Sequence, residues 1–159
     1  MKEFSSASMD KWTKITTAFV FLLALVFLVA SLFTEQYKNT FTGGLIILIL
    51  AILVAYLLIP KLVIEEGKLI IKSPLLKKIV PFNNVKEVLI PDNKIRIRTF
   101  GVGGLFGFFG YFNLDEFWMV TNRKSTIALK LNNNKSIVVS PKDKLAFLNE
   151  IEKQISRNK

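Results

Sequence analysis

The segment Ile15–Phe33, ITTAFVFLLALVFLVASLF, runs for 19 residues without a charged side chain. A helix that rises about 1.5 Å per residue needs about 20 apolar residues to cross the roughly 30 Å hydrocarbon core of a bilayer. A second uncharged run, FTGGLIILILAILVAYLLI, covers Phe41–Ile59 and stops at Pro60, which cannot continue the hydrogen-bond ladder of a helix. We therefore predict two transmembrane helices, joined into a hairpin by the short polar segment 34–40.

Two other interpretations fit these runs less well. A cleaved signal peptide at Ile15–Phe33 would explain the lysines before it and the small residues Ala30 and Ser31 near its end. Its apolar stretch is longer than the roughly 7 to 15 residues of a signal sequence, however, and a second apolar run follows at once. A buried helix of a soluble protein would not be apolar on all faces across Phe41–Ile59.

Lysines near the two runs predict the orientation of the hairpin. The tail 1–14 carries three lysines, the connecting segment has only Lys38, and three more lysines follow the second run before residue 73. Positive charge is enriched on the cytoplasmic side of membrane proteins. We therefore expect a cytoplasmic tail at 1–14, a transmembrane hairpin at 15–59 and a cytoplasmic domain at 61–159.

The composition excludes several classes of protein. Of 159 residues, 51% are apolar, which is too high a fraction for a disordered chain. Cysteine and histidine are absent, so disulfides, Cys/His zinc sites and Ser–His or Cys–His dyads are excluded. The region 61–159 holds 18 Lys and Arg against 9 Asp and Glu, so it carries nearly all of the net charge of +10. Its length suffices for one compact domain.

Alternating apolar and polar residues dominate the region 61–159, which is the pattern of half-buried strands. The runs KLVIEE at 61–66 and KLIIKS at 68–73 flank Gly67 and predict a hairpin. Further short strands are predicted at 78–82, 85–90, 94–99, 116–121, 125–131 and 136–140. Their regular spacing favours a barrel or a sandwich.

The chain then changes to a helical period. Ser140 is a suitable N-cap, and Pro141 is a suitable first helical residue. Apolar residues follow at helical spacing, namely Leu145, Leu148, Ile151 and Ile155. One amphipathic helix is therefore predicted to close the domain.

The segment Thr99–Trp118, TFGVGGLFGFFGYFNLDEFW, holds five of the eight glycines and six of the 14 phenylalanines, and we call it the Gly/Phe segment. It lacks the third glycine of a dinucleotide loop, where Phe106 stands, and the lysine of a P-loop. Two interpretations stay open. The glycines would let the segment bend so that Phe106, Phe108 and Phe109 form an exposed apolar tip for lipid or a partner. Alternatively, the same side chains fill the mouth of the barrel or pack on the hairpin.

A short basic pattern precedes this segment. Lys94, Arg96 and Arg98 alternate with Ile95 and Ile97, so a strand would place the three cations on one face. Such a patch would attract anions, acidic lipid headgroups among them. An ordinary solvated strand face is the alternative.

Other functions have less support in the sequence. The cations are scattered and no helix-turn-helix or RNP sequence is present, so we expect no nucleic-acid partner. The neighbouring acids Asp115 and Glu116 would point to opposite faces of a strand, as would Glu65 and Glu66. Neither pair has a histidine or a second acid in register, so we predict no catalytic site. We likewise expect no cofactor and no metal site.

Several of these features together resemble a known family. The region combines short strands, a Gly/aromatic run introduced by Arg98, a hairpin ending in VVSP and a closing helix with Phe147. It is similar to the membrane-anchored bacterial pleckstrin-homology (PH) domain family, in which a pair of transmembrane helices precedes the β domain. The resemblance covers roughly 61–156. It implies a mainly-β, seven-stranded, strongly bent sheet or barrel capped by a C-terminal α-helix, located at the inner membrane of a bacterial cell.

The resemblance implies a binding platform rather than an activity. PH domains that bind phosphoinositides use a long, basic first hairpin loop, whereas the turn at 65–68 is short and acidic. We therefore expect a non-catalytic, membrane-anchored interaction or scaffold protein whose domain meets a protein partner or the inner-leaflet surface, with weak contact to anionic lipid. The alternatives are a small structural or assembly subunit of a membrane complex and, third, a membrane-bound enzyme.

Overall fold

The computed structural model describes residues 1–91 and 97–157. Two helices lie near the N-terminus: α1, Lys11–Phe33, and α2, Lys38–Leu57. Both are long and apolar enough to cross a membrane. They begin three to four residues before the predicted uncharged runs, and their apolar side chains mostly face away from the protein. This arrangement suggests membrane insertion.

The two helices approach each other closely. A side chain at Gly44 of α2 would collide with the ring of Phe27 of α1, so glycine permits this approach. One helical turn before Gly44, the Phe41 ring packs edge-on against Phe27 with ring centroids 5.8 Å apart. The pair is therefore a packed hairpin, as predicted.

The strands that come directly before and after the helix pair in the chain form a four-stranded antiparallel sheet. Its strands, in spatial order, are β1 Lys2–Ser5, β2 Lys61–Glu65, β3 Lys68–Lys72 and β4 Lys77–Pro81. The β2–β3 hairpin is the one predicted from the sequence. The strand β1 was not predicted, because it is formed by the N-terminal tail and pairs with a strand about 60 residues later in the chain.

A second sheet contains six strands in the order β5-β9-β10-β8-β7-β6. They are β5 Val85–Leu89, β6 Arg98–Gly103, β7 Phe108–Phe112, β8 Glu116–Val120, β9 Ile127–Leu131 and β10 Ser136–Val139. Neighbouring strands are antiparallel except β8 and β10, which are parallel. The resemblance implied seven strands, whereas the described residues form ten in two sheets. Of these ten, β1 and β7 have no counterpart among the strands predicted from the sequence. The strand predicted at 94–99 lies partly outside the described residues, and its residues 98 and 99 begin β6.

One main core joins both sheets and the C-terminal helix α3, Lys144–Arg157. Its fully buried side chains come from every part of the domain and include Leu62, Ile71, Phe82, Ile127, Phe147 and Ile151. Removing each such side chain from water stabilises the fold by about 1.5 to 3 kcal/mol. The predicted class, an apolar helix pair followed by a mainly-β PH-like domain with a closing helix, is confirmed.

The start of α3 differs from the prediction. Asp143 is its N-cap, because the Asp143 carboxylate accepts a hydrogen bond from the Ala146 N–H at 3.0 Å. Ser140 turns into the domain instead, where its hydroxyl accepts a hydrogen bond from the Thr121 N–H at 2.8 Å. Leu145 was expected on the apolar face but is 74% exposed. It lies two residues before the buried Phe147 and therefore on the opposite side of the helix.

Candidate interaction surface

The turn between β6 and β7, residues 104–107, contacts the first helix, and we call it the Gly/Phe turn. The Thr16 hydroxyl of α1 donates a hydrogen bond to the Gly104 carbonyl. The Thr17 hydroxyl accepts one from the Phe106 N–H at 3.0 Å. Two backbone polar groups of the turn are thereby satisfied by hydrogen bonds with side chains of α1.

The ring of Phe106 lies between the two helices. Its centroid is 6.3 Å from that of Phe21 on α1 and 5.8 Å from that of Tyr56 on α2, both in edge-on geometry. Phe106 has a φ of 56°, a conformation that costs a residue with a side chain about 1 to 3 kcal/mol. The ring contacts and the hydrogen bond to Thr17 hold it there. The turn is thus fixed on the helix pair.

The structure separates the three phenylalanines that the sequence grouped as a possible exposed tip. Side chains alternate along β7, so Phe109 points into the main core and is only 2% exposed. Phe108 points to the other face, where the Arg123 guanidinium lies 4.7 Å from its ring centroid. Phe106 packs on the helices. The exposed-tip interpretation therefore does not hold for Phe109, and the alternative of burial and packing on the hairpin describes the segment better.

A buried carboxylate joins the start of α1 to the β domain. Asp10 has a side chain only 5% exposed, and its Oδ2 lies 3.0 Å from Nε of Arg123. The other oxygen of Asp10 caps α1 by accepting a hydrogen bond from the Thr13 N–H at 2.9 Å. Burial alone would raise the pKa of Asp10, but hydrogen bonds from Arg123 and Thr13 hold it at about 2, below the ordinary value of 3.8. The carboxylate is therefore strongly stabilised in its charged form.

The chain between β1 and α1 is also bonded to the domain. The Ala7 N–H donates to the Ser140 carbonyl at 2.8 Å, and the Ala7 carbonyl accepts from the Thr121 hydroxyl. The Asn122 amide donates to the Ser8 carbonyl at 2.9 Å. We call this set of contacts, together with Asp10–Arg123 and the Gly/Phe turn, the helix–domain junction.

Three residues of the junction were not predicted from the sequence, namely Asp10, Thr17 and Arg123. An aspartate directly before a long apolar helix is a recognisable N-cap, so Asp10 did carry a local signal. Its pairing with Arg123, 113 residues away, had no local signal in the sequence.

Of the three cations in the basic pattern, the structure describes only Arg98. Lys94 and Arg96 lie outside the described residues. Arg98 begins β6, is exposed, and pairs in register with Phe112 of β7. Its guanidinium lies over Gly103, where a side chain would come within 3.1 Å of it. Arg98 is therefore carried by the same hairpin as the Gly/Phe turn.

The β domain matches the model of a known protein family. A family model described as "Bacterial PH domain" matches residues 60–155, which is more than half of the chain. Comparison with curated proteins and with solved structures gives no match. The matched region begins at the end of the helix pair and ends within α3, so it covers β2 to β10 and most of the closing helix. The chain belongs to the bacterial PH domain family.

Proposed function

We propose that this protein is anchored in the bacterial inner membrane by α1 and α2 and works as a non-catalytic interaction module. Both termini lie in the cytoplasm, and the β domain is held at the inner leaflet, where it meets a protein partner. Membership of the bacterial PH domain family supports the non-catalytic part of the proposal, because the PH domain is an interaction module.

The pairing of β1 with β2 is the observation that carries the proposed topology. β1 precedes α1 and β2 follows α2, and residues 2–5 are in register with residues 61–64. Two strands that share backbone hydrogen bonds must lie on the same side of a membrane. A connection made of two crossing helices satisfies this requirement, and the lysine distribution independently favours the cytoplasmic side.

The helix–domain junction supports the idea of a fixed presentation. The β domain is held against one end of the helix pair by the Asp10–Arg123 ion pair, the threonines of α1 and the Phe106 ring. A domain held in this way keeps one orientation relative to the membrane. Such preorganisation lowers the entropic cost of binding a partner.

The topology can be tested by cysteine labelling, since the natural chain has no cysteine. Gln36→Cys lies in the segment between the helices, and Lys124→Cys lies on the surface of the β domain. On intact spheroplasts a membrane-impermeant maleimide should label only Gln36→Cys, and Lys124→Cys should be labelled after permeabilisation. The opposite pattern would reverse the orientation, and labelling of both on intact cells would contradict the proposed anchoring.

A second experiment separates the interaction module from a structural subunit of a membrane complex. A photo-reactive side chain is placed at Ile79, an exposed residue of β4, or at Ile47, an exposed residue of α2. Protein adducts from Ile79 are expected if the β domain binds the partner. Protein adducts from Ile47 alone would favour an assembly role for the helix pair.

A further inference from the structure

An apolar groove of about 430 Å³ opens where the helix pair meets the six-stranded sheet. Leu58, directly after α2, and Leu76, before β4, form one side. The neighbouring strands β6, β7 and β8 form the other side, with the rings of Phe100, Tyr111 and Phe117 among the lining side chains. The volume is within the roughly 300 to 1,000 Å³ of small-molecule sites.

Two glycines form part of the wall of this groove. Gly101 of β6 and Gly110 of β7 face each other in register, with φ values of 127° and 130°. A side chain at Gly101 would collide with the Phe109 carbonyl, and one at Gly110 would collide with the Phe100 carbonyl. Only glycine combines this backbone conformation with such close strands. The groove therefore has a stretch of wall without side chains.

The groove has an exposed aromatic rim and lies next to the apolar helices. Phe100 is 76% exposed, although it borders an apolar groove. Leu58 continues directly from α2, so the groove is continuous with the apolar surface that the proposed bilayer covers. Hydrocarbon chains of the adjacent leaflet are thus the nearest apolar molecules available to fill it.

A cation lies at the edge of the groove. The Lys78 Nζ is 3.9 Å from the ring centroid of Phe117 and 6.0 Å from that of Tyr111, two of the lining rings. Burial, together with the nearby charge of Lys135, lowers the pKa of Lys78. A half-buried ammonium of this kind gains from an anionic partner. An apolar groove with a cation beside it matches an amphiphile with an acidic headgroup.

We propose that the groove binds one acyl chain of an anionic phospholipid from the membrane that α1 and α2 span, with the phosphate near Lys78. This inference rests on the membrane anchoring in the proposed function. The site is distinct from the β2–β3 turn, where Glu65 and Lys68 pair with each other at 3.2 Å. It would bind lipid through the chain as well as the headgroup.

The test uses the full-length protein in nanodiscs that contain a phosphatidylglycerol with a photo-reactive diazirine in its acyl chain. After irradiation, peptide mass spectrometry reports which residues the chain contacts. We expect adducts on β6 and β7 in addition to those on α1 and α2. Adducts on the helices alone would overturn the groove proposal and leave the anchoring intact. Failure to label the helices would overturn the anchoring itself, and the groove proposal with it.

Two variants of equal exposure provide the matched control. Phe100 and Leu114 are each 76% exposed, and Phe100 is the one that borders the groove. Phe100→Asp should lower labelling of β7 by about tenfold or more, because a carboxylate is strongly disfavoured in an apolar site. Leu114→Asp should leave it unchanged, and both variants should melt like the natural protein. Equal labelling of β7 in the two variants would overturn the proposal.

The headgroup contact is tested separately. The natural protein should prefer the phosphatidylglycerol probe over a phosphatidylcholine probe by about fivefold in β7 labelling, the effect of one lysine near an anionic lipid. Lys78→Gln should abolish this preference, whereas Lys77→Gln, an exposed neighbour, should retain it. A preference that survives Lys78→Gln would overturn the assignment of the phosphate to Lys78.

Discussion

The helix pair and the β domain use the same kinds of apolar side chain in opposite ways. In α1, Phe19 is 63% exposed, whereas Phe82, Phe109 and Phe147 of the β domain are at most 2% exposed. Burial away from water stabilises the β domain, but the helix pair turns most of its apolar surface outward. The two regions therefore need different surroundings, and the helix–domain junction connects them through a few polar bonds and one ring.

The largest effect is expected when phenylalanine is replaced by alanine in the β domain, and the same substitution in the helix pair is the comparison. Phe109→Ala removes a fully buried ring and should lower the free energy of unfolding by about 3 to 5 kcal/mol. Phe19→Ala, on the outward face of α1, should change the melting of the β domain by less than about 0.5 kcal/mol. Thermal and denaturant melting of the full-length protein in detergent measures both. Similar losses in the two variants would show that the β domain depends on the outer face of the helices.

A smaller effect is expected at the junction itself. Asp10→Asn removes the negative charge that pairs with Arg123 and caps the start of α1. It should lower the free energy of unfolding by about 1 to 3 kcal/mol. Glu3→Gln breaks the exposed pair between Glu3 and Lys61, at 3.5 Å, and should cost less than about 0.5 kcal/mol. A double-mutant cycle with Arg123→Gln measures the coupling. Additive effects of Asp10→Asn and Arg123→Gln would mean that the pair does not join the two regions.

The same carboxylate predicts a pH dependence. The pKa of Asp10 is about 2 in the folded protein and 3.8 ordinarily, so its contribution is complete above about pH 4 and is lost as the pH falls toward 2. The loss should be roughly 2 kcal/mol. Denaturant titrations of the natural protein and Asp10→Asn should therefore converge as the pH falls from 4 to 2. A constant difference between the two across this range would contradict the assignment.

The smallest effect concerns surface charge. Each lysine or arginine of the β domain within a Debye length of an anionic leaflet contributes about 1 kcal/mol, and this contribution is screened by salt. Hydrogen exchange of the β domain should be slower in anionic than in neutral nanodiscs at low salt. The difference should vanish near 1 M salt, where the Debye length is about 3 Å. Equal exchange in both lipids at low salt would show that the domain surface does not touch the leaflet.

Local patterns explain what the sequence predicted. The uncharged runs at 15–33 and 41–59 and the alternation in β2 and β3 are local signals in the sequence, and both the helices and these strands were predicted. In the Gly/Phe segment β7 was missed and β6 extends beyond the strand predicted at 94–99, because the paired Gly101 and Gly110 interrupt the alternation that identifies a strand. β1 was missed because four residues carry too little pattern and their partner is distant in sequence.

The site was less predictable than the fold, for the same reason. Phe106, Phe108 and Phe109 are similar in the sequence, and their separate environments arise from strand alternation and from the position of the helices. The contact of Phe106 with Tyr56 joins residues 50 positions apart. Only the three-dimensional structure brings such residues together.

The position of β1 also sets an order of events during synthesis. β1 is made before either helix, yet its partner β2 is made after both. The first strand must therefore wait, unpaired, while some 55 residues emerge and the helix pair forms. Its short length and the charged side chains of Lys2 and Glu3 within it limit mispairing of the strand during that interval. In the proposed topology, the first sheet can close only after the helix pair has returned the chain to the side of the membrane on which β1 lies.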